Sequence, residues 1–138
     1  MVDSVTRQRR SEIMGRVKGK DTTPELAIRS MVHRMGYRFR LHRRDLPGCP
    51  DLVFPSRRKV IFVHGCFWHR HPGCPMARIP KTRVEYWTSK LEANAVRDAR
   101  HLEALKAKRW RALVIWECET GKIDVARRIR TFLGKAGV

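Results

Sequence analysis

Acidic residues are scarce in this 138-residue chain: thirteen Asp and Glu stand against 31 Lys and Arg, a formal net charge of +18. That deficit excludes cationic partners and selects polyanions, nucleic acid first among them. An anionic membrane surface is the competing polyanion, but no basic amphipathic anchor stands out. Long apolar runs are missing too. The longest reach strand length, far from the ~20 residues of a membrane span. The first residues are polar and charged, without the apolar stretch of a secretory signal, so a cytoplasmic, nucleoid-associated monomer is the expectation. There is no internal repeat, no low-complexity segment and no dividing linker, which leaves one ordinary domain with a real core. Cysteine is limited to positions 49, 66, 74 and 118. In a chain that is not secreted, metal binding is a better use for four thiols than disulfides.

What is present is concentrated in residues 64–74, H-G-C-F-W-H-R-H-P-G-C. Three histidines, two cysteines and two adjacent aromatics occupy eleven positions, directly after the strand-like run Val60, Ile61, Phe62, Val63. A core would favour Leu, Ile and Val here. Soft ligands, bases and large rings together predict a metal-bearing, chemically active loop at a strand end.

The flanking pattern places that loop. Residues 1–20 are basic with sparse apolar positions, which reads either as a solvated arm or as one that orders on nucleic acid with Met14 and Val17 as its apolar tips. Residues 21–138 form the single domain, with the loop at 65–80. Thr22, Pro24 and Glu25 read as a capping box opening a helix, with an apolar stripe at 27, 28, 31, 32 and 35 and a stop at Gly36. Alternation over 37–41 predicts a half-buried strand. A turn at 47–50, short strands at 51–54 and 59–64, and a second capping box from Thr82 to Glu85 follow. That box opens a long helix to about Lys108, with Tyr86, Leu91, Ala95, Leu102 and Leu105 on its apolar side. Residues 111–117 read as a buried strand and 122–133 as a last helix. The order is helix, three strands, helix, strand, helix.

Four constellations carry chemistry. Cys66, His71, Cys74 and Cys118, spaced C-x4-H-x2-C-x43-C, match a closed tetrahedral zinc shell, which would be structural. Cys118 is preferred as fourth ligand because strands 59–64 and 111–117 running side by side would bring their ends together; Cys49 is the alternative. Asp51 and His64 fall at strand ends and, with His69, suit a hard divalent ion such as Mg2+. Phe67, Trp68 and Trp87 offer rings that stack on or wedge between bases. Asn94 and Asp98 lie one helical turn apart and share a face, a solvated face unless something else draws it to the site.

The strings L-P-G-x-P-D at 46–51, H-G-C-F-W-H at 64–69, W-x-x-K at 87–90, R-D at 97–98 and V-I-W-E-C at 114–118 resemble the very short patch repair (Vsr) DNA mismatch endonucleases. The resemblance runs in order from about residue 5 to 118. It implies an α/β restriction-endonuclease-like αβββαβα core, a central mixed sheet flanked by helices. It also implies Mg2+-dependent nicking of duplex DNA on the 5′ side of a thymine mispaired with guanine, the product of 5-methylcytosine deamination, with mismatch-repair proteins as partners. By the same resemblance, Asp51 and the backbone carbonyl of Val63 hold Mg2+, His69 activates water, His64 and Asp98 order the shell, and Glu25 is a supporting acid. Cys66, His71, Cys74 and Cys118 become structural Zn2+ ligands. Phe67, Trp68 and Trp87 become the wedge, with Lys90 and Asn94 beside it on DNA, and Met14 and Val17 part of a minor-groove clamp. One departure from the family pattern stands out, and one contrast with related nucleases. The loop is one residue longer between His71 and the next cysteine than the family pattern. Related nucleases usually end this strand in a D/E-x-K pair, whereas here it ends Phe62, Val63, His64, and an imidazole titrates near neutrality as a lysine does not. The rival readings are a non-catalytic zinc-dependent DNA-binding module and another nuclease of the same fold. A zinc nucleobase deaminase is a weaker reading still, because the H-x-E…P-C-x-x-C signature its chemistry needs is missing.

Overall fold

A computed structural model describes residues 22–136. The proposed arm at 1–20, with Met14 and Val17, lies outside the described residues. The elements are α1 (Thr23–Arg34), β1 (Arg40–Leu41), β2 (Leu52–Phe54), β3 (Lys59–His64), α2 (Val84–Ala107), β4 (Arg111–Trp116) and α3 (Val125–Leu133). The sheet runs β1-β2-β3-β4. β1/β2 and β2/β3 are antiparallel, and β3/β4 are parallel from Lys59↔Arg111 to His64↔Trp116. A parallel pair needs a long crossover, which the loop and α2 supply. This is the mixed α/β arrangement of the restriction-endonuclease-like fold, with the element order read from the sequence.

Both faces of the central strands are covered, and the side-chain alternation of a strand sorts residues between them. Leu52, Phe54, Ile61 and Ile115 join Ile28 and Val32 of α1 and Ile129 and Leu133 of α3. Val53, Val60 and Phe62 face the other way, onto Leu105 of α2 and Trp110. Hence β2 and β3 are apolar at nearly every position, as strands buried on both faces must be.

Local signals were followed unevenly. The Thr22 hydroxyl caps α1 by accepting from Glu25 N at 3.3 Å. Ile28 and Val32 of the stripe are buried, but Ala27 is exposed. The strand expected over 37–41 shortens to Arg40–Leu41, because Tyr37 is drawn into the core, where its hydroxyl donates to the Gly134 carbonyl. The second capping box does not form. α2 begins at Val84 after Arg83, which is left-handed at φ 54 and makes no side-chain cap. Leu91 and Leu105 are the buried residues of α2, and Tyr86 is 45% exposed.

Candidate active site

The sheet topology gathers one end of three strands. Because β2 is antiparallel to β3 while β4 is parallel to it, the start of β2 and the ends of β3 and β4 coincide. Asp51 precedes β2, His64 ends β3, and Cys118 follows β4. A cleft of about 1510 Å³ opens there.

Asp51 is held from the neighbouring strand: Val63 N donates to its Oδ2 at 2.7 Å. Glu25 reaches the same spot from α1, 98% buried at its side chain and also paired with Arg29. His42, which sequence reasoning missed, lies between the two acids, its Nε2 2.8 Å from Glu25 and 3.8 Å from Asp51. No periodicity marks His42, and its position follows β1 in the left-handed region at φ 48. Burial pushes the Asp51 carboxyl up to about 7. The Val63 N–H opposes that rise, and the nearby Glu25 carboxylate adds to it. A site that strains so against holding negative charge is one a cation would relieve.

A second group faces the same cleft. His69 Nδ1 lies 2.5 Å from Asp98 Oδ2, which reaches across from α2. His64 stacks on His69, with centroids 3.9 Å apart and planes within 5°. Burial first, and then the His69 ring, push the His64 imidazole down to about 4, so it is neutral at ordinary pH. The carboxylate engages one nitrogen of His69 and so fixes the orientation of its ring. Asn94 is drawn in as well: its amide donates to the Trp68 carbonyl at 3.0 Å. Asn94 and Asp98 therefore do not form a merely solvated face; both tie α2 to the loop.

The loop itself is built around a third group. Cys66, His71, Cys74 and Cys118 bring four ligand atoms within 4.8 Å of one another. Cys49 stands outside this set, exposed near the cleft. The parallel register of β3 and β4 brings Cys118 beside the loop residues Cys66, His71 and Cys74. Between His71 and Cys74, Gly73 sits in the left-handed region at φ 70, where an added Cβ would meet no atom within 4 Å. His71 stacks on Trp116 at 4.2 Å. Burial pushes the Cys66 thiol up to about 12, a cost that a bound cation would offset.

Phe67 meets Trp68 and Trp87 edge to face and the two tryptophans are tilted to each other, with ring centroids 4.9–6.1 Å apart, and all three stay half-buried. Lys90 Nζ lies 5.9 Å from the Tyr86 ring, beside this group. Arg44 and Arg97 add positive charge along the cleft, which suits a polyphosphate chain.

A mixed sheet with acids and histidines converging at one end, in a strongly basic chain, defines a nuclease of the restriction-endonuclease-like class. A statistical model of the DNA mismatch endonuclease Vsr family matches residues 2–74. The chain is 52% identical to the type II nicking enzyme V.XorIIP of Xanthomonas oryzae pv. oryzae, across 96% of this chain and 98% of that one. It is 40% identical to the DNA mismatch endonuclease Vsr of Escherichia coli, across 86% and 75%. It is 34% identical to the type II nicking enzyme V.NmeAIP of Neisseria meningitidis, across 92% and 90%. The chain belongs to the Vsr family and is a DNA endonuclease. That sets aside the non-catalytic binding module. No helix among the described residues is long and apolar enough to cross a membrane.

Proposed function

We propose that this chain nicks one strand of duplex DNA 5′ of the thymine in a T:G mispair, with Mg2+ at the catalytic centre, and so initiates very short patch repair. The observation that carries the reading is the convergence on one cleft of Asp51 with Glu25 and of His69 with Asp98. Asp51 and the Val63 carbonyl hold the Mg2+. The bound ion supplies charge neutralisation at the phosphate and acidifies a water. His69 takes the proton of the attacking water, with Asp98 orienting its ring and the neutral His64 packed on its face. Attack in line on the phosphorus expels the 3′-oxygen, giving 3′-hydroxyl and 5′-phosphate ends. Glu25 acts through Asp51 and holds Arg29 behind it.

Cys66, His71, Cys74 and Cys118 hold a structural Zn2+ that pins the loop. A closed set of four ligands leaves no open position for catalysis. Phe67, Trp68 and Trp87 enter the helix beside the mispair, where unstacking costs least, while Asn94 and Lys90 border the DNA. Residues 1–20, with Met14 and Val17, form the clamping arm, and 21–138 the nuclease domain. The protein acts as a monomer at the nucleoid, alongside mismatch-repair proteins.

The test is incubation with end-labelled duplexes bearing T:G or full pairing, with and without Mg2+. Nicking confined to T:G duplex with Mg2+ is the expected result. Equal cutting of paired duplex, or activity without a divalent ion, would overturn the reading.

A further inference from the structure

We propose that His42 is a third ligand of the catalytic divalent ion, giving this chain a mixed nitrogen–oxygen site that favours Mn2+ over Mg2+. The inference rests on the reading above, that Asp51 holds that ion. Three observations carry it. The ligand atoms of Glu25, His42 and Asp51 lie within 4.8 Å of one another, with His42 Nε2 at 2.8 and 3.8 Å from the two carboxylates. Donors about 2.0–2.2 Å from a common ion sit within roughly 4 Å of each other, and His42 Nε2 and Asp51 Oδ1, 3.8 Å apart, meet that. Next, His42 Nε2 is buried and lacks an aligned hydrogen bond despite its closeness to Glu25. A buried imidazole nitrogen with no hydrogen bond is costly unless something else occupies it. Finally, the ring is held there by a left-handed backbone at φ 48, uncommon for any residue but glycine, and its own N–H extends the ladder to the Asp51 carbonyl at 3.4 Å.

Oxygen-only sites suit Mg2+, whereas an imidazole adds affinity for first-row transition ions. His42 therefore tilts the site toward Mn2+ without removing the carboxylates that Mg2+ uses. The arrangement differs from the His64, His69 and Asp98 group, in which Asp98 already engages the His69 nitrogen.

The test is calorimetric titration of the zinc-loaded protein, without DNA, using Mg2+ and Mn2+ separately, on wild type, His42→Gln and Asp51→Asn. Pulsed electron paramagnetic resonance of bound Mn2+ reads nitrogen coupling directly, independent of activity. Expected are tighter binding of Mn2+ than Mg2+ by wild type, a loss of about tenfold in Mn2+ affinity for His42→Gln with Mg2+ changed by less than about threefold, and nitrogen coupling that vanishes in that variant. Equal losses for both ions would make His42 a positioning residue and overturn the proposal. Unchanged Mn2+ binding, or persistent nitrogen coupling in His42→Gln, would overturn it as well. Should Asp51→Asn bind both ions normally, the assignment of Asp51 itself fails and takes the proposal with it. Should Asp51→Asn lose both while His42→Gln loses neither, the Asp51 reading stands and the His42 ligand falls.

Discussion

Asp51→Asn should stabilise the Mg2+-free protein while abolishing nicking. Burial against Glu25 raises the Asp51 carboxyl from 3.8 to about 7. The sign follows from proton linkage. The folded state holds this proton more tightly than the unfolded one, so no penalty exists below pH 3.8, the penalty grows up to about pH 7, and it is constant above. Some three pH units correspond to a ceiling of about 4 kcal/mol at pH 8, and under half of that at pH 5. Glu25 shares the repulsion and the Asp51 side chain keeps 20% exposure, so the realised gain is nearer ~1–3 kcal/mol. The amide has the same shape, and its oxygen can still accept from Val63 N. Thermal unfolding at pH 8 and pH 5, in Mg2+-free buffer that leaves zinc in place, should show a gain of several degrees at pH 8 and a smaller one at pH 5. Saturating Mg2+ should raise the melting temperature of wild type and leave the variant unmoved. For the same reason the Mg2+ affinity of wild type should fall as the pH drops below about 7, because proton and ion compete for one carboxylate. A variant less stable than wild type at pH 8 without Mg2+, or one that still nicks T:G duplex, would refute the reasoning.

Three other expectations follow from the geometry. Cys118→Ala should lose zinc and much of its folded population, whereas Cys49→Ala should keep both, measured by elemental analysis and circular dichroism; the reverse pattern would replace the ligand set. His69→Ala and Asp98→Asn should each slow single-turnover nicking by ~10²–10⁴-fold while mismatch binding stays intact, since one removes the proton acceptor and the other its orientation. Near-normal rates in either would remove that pair from the chemistry. Trp68→Ala should weaken binding to T:G duplex more than to paired duplex in a competition assay, and equal losses would make the ring a packing residue.

The order of elements was legible because it is written locally. Apolar runs over 60–63 and 112–116 read as strands, although edge strand β4 buries only Ile115 fully, and Thr22 announced the start of α1. The density of histidine and cysteine over 64–74 likewise marked the loop, and short spacing is enough to predict that Cys66, His71 and Cys74 share one ion. Other local signs misled. The Thr82 box lost to a left-handed turn at Arg83, and Tyr37 left its strand for the core. Pairings across the chain were decided only by the tertiary structure. Cys118 over Cys49 depended on β3 and β4 being parallel in a register that pairs His64 with Trp116. Asp98 met His69 across 29 residues, and Asn94 met Trp68 across 26, because α2 passes over the loop. His42 joined Glu25 and Asp51 through a backbone turn that no composition or period encodes. Hydrophobic period and ligand spacing are properties of neighbours along the chain. A catalytic cleft is instead a meeting of distant residues, fixed by which strands pair, in what direction and in what register.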